Sequence, residues 1–260
     1  SVQPTKFAYG QNQGAYSVDF VLSNPWIFQM ILDNNVDAGA APFTHTMTPT
    51  KALKSFSHEI GMDLVTTDQV RVILGGICNS ISLKAGINEL IKGTASIIYG
   101  KEKIVGTSLD ISIATDNIDF PYTFVHGTIE LPNSIVLAEV QSFDLTLAMN
   151  AELLYGFGSA DAVNGFRKRM DTTGKVSLTL KDNVTLGYIT SRAEVATMKL
   201  KFTNGLSGAN EKTIEFQGIG IGFSEYNLGS VEANELILQD ISFQWRGVTM
   251  VASNSTATPP

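Results

Sequence analysis

Two stretches of the chain carry the same alternation of hydrophobic and polar positions. Residues 75–100 and residues 218–245 each read as two alternating strands around a turn rich in Gly and Asn, a pattern typical of an antiparallel β-hairpin. The two stretches also share residues at fixed offsets. At an offset of 142 these are Ile77 with Ile219 and Ser82 with Ser224, and at 146 they are Asn88–Ile91 with Asn234–Ile237 and Ser96 with Ser242. The sequence therefore predicts one hairpin that occurs twice.

The similarity extends upstream of each hairpin. Gly14–Val21 resembles Gly174–Lys181, and each is followed by a short candidate helix. The first helix is expected after Ser23-Asn24-Pro25 with Trp26, Ile27, Met30 and Ile31 on one apolar face, and the second spans Asn183–Ser191. We therefore predict a repeated unit of strand, helix, strand and hairpin.

The fold class that follows is mainly β: β-sandwich or half-barrel domains in tandem duplication, each with one flanking helix. We expect the first domain in residues 1–105, the second in residues 106–251 and a flexible tail in residues 252–260. Further strands are predicted at residues 55–65, 108–114, 120–125, 135–149, 196–202 and 212–216. Long loops are predicted at residues 36–54 and 155–173.

Composition narrows the class of protein. A hydrophobic fraction of 43% with 17% charged residues describes a folded chain, and the single cysteine, Cys78, cannot form an internal disulfide. No apolar run reaches the length of about 18 residues that a membrane-spanning helix needs, so no membrane association is expected. Residues 1–105 are neutral overall, and the remaining residues carry the whole net charge of −7. Such a protein is a poor ligand for nucleic acid, but it would suit a surface past which nucleic acid slides.

Candidate chemistry is sparse. The three histidines, His45, His58 and His126, lie on separate segments without Cys or acidic residues at metal-ligand spacing. The sequence Gly218-Ile-Gly-Ile-Gly222 lies inside a predicted strand and not between a strand and a helix, so it lacks the context of a dinucleotide site. We expect neither an enzyme nor a cofactor or metal, although a sequence does not show which carboxylates meet in space.

The long loop Tyr155–Thr173 is the candidate site, because its length and its Gly and Arg content suggest that it folds on a neighbouring subunit. The candidate contact residues are Tyr155, Phe157, Phe166, Arg167, Lys168 and Arg169. Two interpretations of the basic triplet stay open. It is solvated at the shoulder of a hairpin, or it pairs with acidic groups of a neighbouring subunit.

The second unit carries a series of phrases that together resemble a known family. They are Ser142–Leu147, Leu154–Ser159, Asn164–Arg167 and Gly174–Leu180, with Phe43–Thr48 as a further phrase in the first unit. The series resembles the tail tube proteins of long-tailed viruses of bacteria and archaea. In one respect the chain departs from the family: its first unit has no counterpart of Ile135–Thr173, so that either those residues lie upstream of Ser1 or the first unit is abbreviated.

The resemblance implies a structural protein of the virion, located in the viral tail. Its domains would stand side by side in rings, and stacked rings would form a hollow tube that delivers the genome. The tandem repeat resembles the fused form of the family, in which three chains make a pseudo-hexameric ring. The partners implied are further copies of the chain, the tape measure, tail completion and tail tip proteins, and viral DNA in transient, non-specific passage.

Two alternatives stay open. The same assembly would serve as the inner tube of a contractile injection system. A receptor- or carbohydrate-binding β-sandwich is an alternative of a different class, and it predicts exposed aromatic residues clustered on one set of loops. Trp26 and Trp245 instead lie in a predicted helix face and a predicted strand, as core residues do.

Overall fold

The computed structural model describes residues 12–40, 42–50, 54–62, 69–105, 120–132, 135–137, 139–179, 187, 194–207, 210–228 and 238–254. Its strands are, in chain order, β1 (Gly14–Val21), β2 (Asn34–Ala38), β3 (Phe43–Thr48), β4 (Phe56–Met62), β5 (Gln69–Gly86), β6 (Lys92–Tyr99), β7 (Lys101–Val105), β8 (Gly127–Leu131), β9 (Ile135–Val136), β10 (Val140–Ala148), β11 (Ala151–Tyr155), β12 (Ala162–Arg167), β13 (Asp171–Thr179), β14 (Val195–Thr203), β15 (Thr213–Leu228) and β16 (Leu238–Asn254). Two short 3-10 helices span Trp26–Met30 and Phe124–His126. The prediction of a mainly β fold is confirmed.

Fourteen of the strands form one sheet, whose main order is β1-β6-β5-β10-β13-β16-β15-β14-β8-β9. Both predicted hairpins are present as the antiparallel pairs β5–β6 and β15–β16. The first closes through Asn88, which has a φ of 62°, a left-handed conformation that Asn tolerates better than most residues. The two upstream segments that resemble each other in sequence form β1 and β13. β1 pairs with β6 and β13 pairs with β16, which is the second strand of the hairpin in each case.

The sheet curls strongly around its core. Phe143 on β10 and Phe202 on β14 stack with ring centroids 5.1 Å apart, although three strands separate β10 from β14 in the sheet. At the usual spacing of about 4.8 Å between strands, a flat sheet would hold these two residues about 19 Å apart. The predicted inward face of β10, formed by Phe143, Leu145 and Leu147, is buried as expected. One contiguous core contains these side chains and residues from both halves of the chain.

Three backbone landmarks recur in the two hairpins at a spacing of 145 residues. Glycines with positive φ lie at Gly75 (66°) and Gly220 (64°). The pairing of β4 with β5 extends as far as Gly76, and the pairing of β14 with β15 extends as far as Ile221. The register against the second hairpin strand then shifts at residue 79 and at residue 224. The sequence match in the first hairpin strand has an offset of 142, which is three residues less than this structural spacing. Because side chains alternate between the two faces of a strand, an odd difference pairs residues that lie on opposite faces.

The first predicted helix is a short 3-10 helix at Trp26–Met30. Its most deeply buried residue is Phe28, which was not among the four residues predicted to form the apolar face. Phe28 is fully buried, as is Ile31 just beyond the turn, while Trp26, Ile27 and Met30 are partly buried against the core. A 3-10 turn has about three residues per turn, so its apolar side chains do not form the stripe that an α-helix would give. Of the second predicted helix, only Gly187 lies within the described residues, and it is helical.

Three further predictions were wrong. Part of the expected loop at residues 36–54 forms β2 and β3, which pair with each other. The expected strand at residues 120–125 is irregular and ends in the second 3-10 helix. The expected tail begins inside β16, which continues to Asn254, because β3 pairs with this end and His45 Nε2 lies 3.0 Å from Asn254 Oδ1. The strand predicted at residues 108–114 and the phrase at residues 234–237 lie outside the described residues.

Strand pairing joins the two halves of the chain at β10 and at β3, and an isolated bridge joins them at Leu90 and Thr123. β10 pairs with β5 of the first half and with β13 of the second, and β3 pairs with the end of β16. The 3-10 turn of the first half also packs against the second, since the rings of Phe28 and Phe216 lie 5.0 Å apart. Among the described residues, no helix is long and apolar enough to cross a membrane.

Candidate assembly interface

The segment predicted as a long loop is a β-hairpin, which we call the arm. Its strands β11 and β12 pair only with each other, in a two-stranded sheet of their own. The register places Glu152 opposite Phe166 and Leu153 opposite Gly165. An isolated two-stranded hairpin is marginally stable in water, so the arm depends on the surfaces that it contacts.

Asn79 on β5 fastens the base of the arm. This residue is the extra residue of the β-bulge that β5 forms against β6. Its backbone oxygen accepts a hydrogen bond from Met149 N at 2.7 Å, and its side-chain Oδ1 accepts one from Ala151 N at 2.8 Å. Bulges turn a residue out of the regular ladder, and here the freed amide group binds the neighbouring segment.

The inner face of the arm packs on the first half of its own chain. Gly165 lies against Ile77 so closely that a Cβ at this position would overlap the Ile77 side chain. Ala162 lies equally close to Gly100 at the junction of β6 and β7. Glycine on one side of each contact therefore allows the arm to approach β5 and β6.

The distal end of the arm is fixed by Asn12 and Lys101. Tyr155 donates its hydroxyl hydrogen to Asn12 O at 2.7 Å, and Asn12 N donates to Ala160 O at the same distance. Asp161 accepts from Asn12 Nδ2 at 2.8 Å and pairs with Lys101 Nζ at 2.8 Å. The hydrogen bond from Lys101, with that from Asn12, lowers the pKa of the Asp161 carboxyl.

The outer face and tip of the arm expose apolar side chains. Leu154, Val163 and Phe166 are exposed along its strands, and Phe157 at the tip has no cover at all, with a relative exposure of 112%. Isolated exposed hydrophobic residues are ordinary, but a cluster on one projecting element marks an interaction surface.

The basic triplet lies at the base of the arm, where two of its members have partners in the same chain. Lys168 pairs with Glu152, and Arg169 Nε lies 3.2 Å from Asp171 Oδ1. Arg167 is partly buried, and its Nη1 has no hydrogen-bond partner among the described residues. A buried guanidinium nitrogen without a partner is costly, and Arg167 is the member of the triplet for which the described residues show no ion-pair partner.

The structure thus divides the six predicted contact residues into two groups. Phe157 and Phe166 point away from the chain, and Arg167 has an unused donor, whereas Tyr155, Lys168 and Arg169 are engaged within it. The sequence interpretation missed Asn79, Asp161 and Gly165, which hold the arm in place. An asparagine in the middle of an alternating strand was the one available signal, because it disfavours a regular ladder.

Among the described residues, His45 and His58 make contacts within the fold. No group of three or more His, Cys, Asp or Glu residues among them could hold a metal ion. His45 is buried between Asp37 Oδ1, at 2.6 Å from Nδ1, and Asn254, and His58 lies 2.8 Å from the Tyr16 hydroxyl. The hydrogen bond from His45 lowers the pKa of Asp37, which is a structural role.

A curled β-sheet with a projecting arm that exposes apolar side chains suits a subunit that associates through its surface. Comparison with known families agrees with this class. The family described as phage tail tube protein matches residues 3–247, so the chain belongs to the phage tail tube protein family. No curated protein matches the chain. The chain is therefore a structural protein of the virion tail, in a family that is not an enzyme family and whose members assemble with themselves and with other tail proteins.

This assignment decides against the receptor-binding alternative. Exposed aromatic residues do lie together on the arm, as that alternative required, so they do not separate the two interpretations. The tryptophans favour the tail tube, since Trp245 is buried and Trp26 packs on the core. The family match decides the question.

Proposed function

We propose that three copies of this chain form a closed ring with pseudo-sixfold symmetry, and that stacked rings form the hollow tube through which viral DNA passes. Each chain would supply two successive ring positions, residues 1–105 and residues 106–251. The tape measure, tail completion and tail tip proteins would contact the ends of this tube. The observation that carries the proposal is the junction that β10 forms between the two halves of one chain.

In this junction β10 adds to an edge of β5 that would otherwise be open. β4 covers that edge as far as Gly76, and β10 pairs with Ser80–Gly86 beyond it. Because β10 also pairs with β13, it carries the sheet of the first half directly into the sheet of the second. The covalent chain therefore supplies a template for how one ring position joins the next.

β15 offers the equivalent edge at the other end of the chain. β14 covers it as far as Ile221, and in the described part of the chain no strand pairs with this edge along Gly222–Leu228. The segment of β5 that pairs with β10 begins at Ser80. At the spacing of 145 residues, its counterpart on β15 begins at residue 225. Open strand edges are liabilities that a closed ring removes, so a strand of the next copy is the natural occupant.

The charge of the chain suits the passage of DNA. The net charge is −7, all of it within residues 106–260. A wall that repels phosphate groups does not retain DNA, whereas a basic wall would bind it in a salt-dependent manner. This argument supports the conduit and is independent of the number of chains in the ring.

Native mass spectrometry of rings released from the purified assembly tests the proposal. We expect rings of three chains, each of 28.0 kDa, and a cryo-electron microscopy cross-section with six similar lobes. Six chains per ring would contradict the fused arrangement. A chain that stays monomeric at high concentration would contradict the ring itself.

A further inference from the structure

An apolar cavity lies at the end of the molecule opposite the arm. Its volume is about 230 Å³, and it opens between Ile87, Val125 and Leu137. Its floor includes the rings of Phe124, Phe143 and Phe202, which stack in sequence with centroid distances of 6.4 and 5.1 Å. Ile87 and Val125 at its rim are 50% and 66% exposed, and none of the described residues that line it is charged.

The arm and the cavity lie at opposite ends of β10. The cavity contacts Val140 at the start of this strand, and the arm leaves the chain after Ala148 at its end. Eight residue steps in an antiparallel strand span about 27 Å. The attachments of the arm to Asn79, Asn12 and Lys101 point it away from the cavity of its own chain.

We propose that the Phe157 tip of one copy inserts into this cavity of a copy in the next ring, so that it stacks on the Phe124–Phe143–Phe202 rings. This inference rests on the proposed ring, and it assigns the partner surface of the arm. A projection at one end that fits a recess at the other is a head-to-tail contact, and such a contact extends into a filament when its rotation does not close a ring. Rings joined in this way would stack into a tube of any length.

The chemistry of the two surfaces matches. The tip, Gly156-Phe157-Gly158, is uncharged, and Gly158 has a φ of 80° that a tight turn requires. A phenylalanine ring that enters the cavity would replace water on an apolar and aromatic lining, with offset stacking available to it. Neither the tip nor the described lining carries a charge, so the contact avoids the cost of desolvating a charged side chain.

The size of the contact explains why it would act only between rings. One phenylalanine buries about 150–250 Å², far below the roughly 1,200–2,000 Å² of a stable interface. A single copy would therefore not hold another through this contact alone. Several tips on one ring act together, because after the first has bound the others bind at high effective concentration.

Disulfide trapping tests the contact. Chains with Phe157→Cys are mixed with chains carrying Val125→Cys, assembled and oxidised. The background is low, because the native Cys78 is fully buried and burial raises its pKa to about 12. We expect disulfide-linked dimers in the mixture and none in tubes made from either variant alone. The matched control mixes Phe157→Cys with Val36→Cys, whose side chain is also exposed, and should give no dimers.

A second pair of variants separates this inference from the ring. Phe157→Asp should form rings, counted by native mass spectrometry, that no longer stack in electron micrographs, whereas Val36→Asp should stack normally. If Phe157→Asp rings stack normally, or if the mixed tubes give no dimers, the contact is wrong and the ring proposal stands. If the unmodified chain forms no rings, the ring proposal fails, and this inference fails with it.

Discussion

Phe28 shows how a single side chain joins the two halves of the chain. It belongs to the first half, yet its ring packs edge-on against Phe216 of the second half, 5.0 Å between centroids. It is fully buried, whereas the neighbouring Trp26 is only partly buried and packs against His45. The 3-10 turn therefore presents its smaller aromatic residue to the core and its larger one to the margin.

We predict that Phe28→Ala will destabilise the chain more than Trp26→Ala. Removing a fully buried phenylalanine costs about 3–5 kcal/mol, because the cavity that remains cannot collapse. Trp26 retains solvent contact, so its removal leaves a smaller void. Urea unfolding of the unassembled chain measures both variants. A larger loss of unfolding free energy for Trp26→Ala would show that the packing of the turn is wrong.

Asp161 makes the attachment of the arm sensitive to pH. Its hydrogen bonds with Lys101 and Asn12 lower its pKa in the folded chain, so the ionised carboxylate stabilises the attached arm. This contribution is present above the unfolded pKa of about 4 and is lost as the pH falls through the lower folded value. We expect amides of residues 160–167 to lose protection against hydrogen exchange over that range.

The variant Asp161→Asn should show the loosened arm already at pH 7 and no further change on acidification that is specific to the arm. Asp144→Asn, on the exposed side of β10, is the matched control and should leave the arm protected at pH 7. Equal protection of the arm in the wild-type chain and in Asp161→Asn at pH 7 would contradict the role of Asp161.

At the scale of elements, the sequence predicts what alternation alone determines. β5, β10 and β16 alternate over long runs and bury one face, so the hairpins and the inward row at Phe143, Leu145 and Leu147 were predictable. β2 and β3 are short, and β3 forms because its partner β16 is supplied from more than 200 residues away. No local pattern carries that information.

The prediction of a loop in place of the arm was wrong for a related reason. Its Gly-rich composition is typical of a loop, and its strands are ordered by contacts that only the fold creates, at Asn79, Ile77 and Gly100. The sequence nevertheless selected this segment as the candidate interface, because of its length and its Gly and Arg content. It did not reveal which of those residues the chain uses itself, since Glu152 and Asp171, the partners of Lys168 and Arg169, are ordinary charged residues in the sequence.

At the scale of the whole molecule, the described part of the chain contains a completed junction at β10 and, on β15, an edge of the same kind that no described strand covers. The sequence repeat indicated two similar units, but it did not indicate that β10 of one unit would complete the sheet of the other. That feature depends on strand order, which neither periodicity nor composition encodes. The open edge of β15 is the consequence, and it gives ring assembly a signature that can be measured.

We predict that assembly will protect the backbone amides of Gly222–Leu228 without changing those of Ser80–Lys84. Successive amides of an antiparallel strand point alternately to its two edges. β5 pairs with β6 and β10 on both sides of Ser80–Lys84, so its amides are bonded in the single chain. β15 pairs only with β16 along Gly222–Leu228 in the described structure, so about half of these amides face the open edge.

Hydrogen exchange of the unassembled chain and of tubes measures this difference, with the segment on β5 as the control within the same molecule. A strand from the next copy would bond the amides that face outward, and their exchange would slow by the same means that already protects β5. The peptide covering residues 222–228 should therefore gain protection, while that covering residues 80–84 stays constant. Tubes in which residues 222–228 exchange as fast as in the free chain would show that rings close through another surface than this edge of β15.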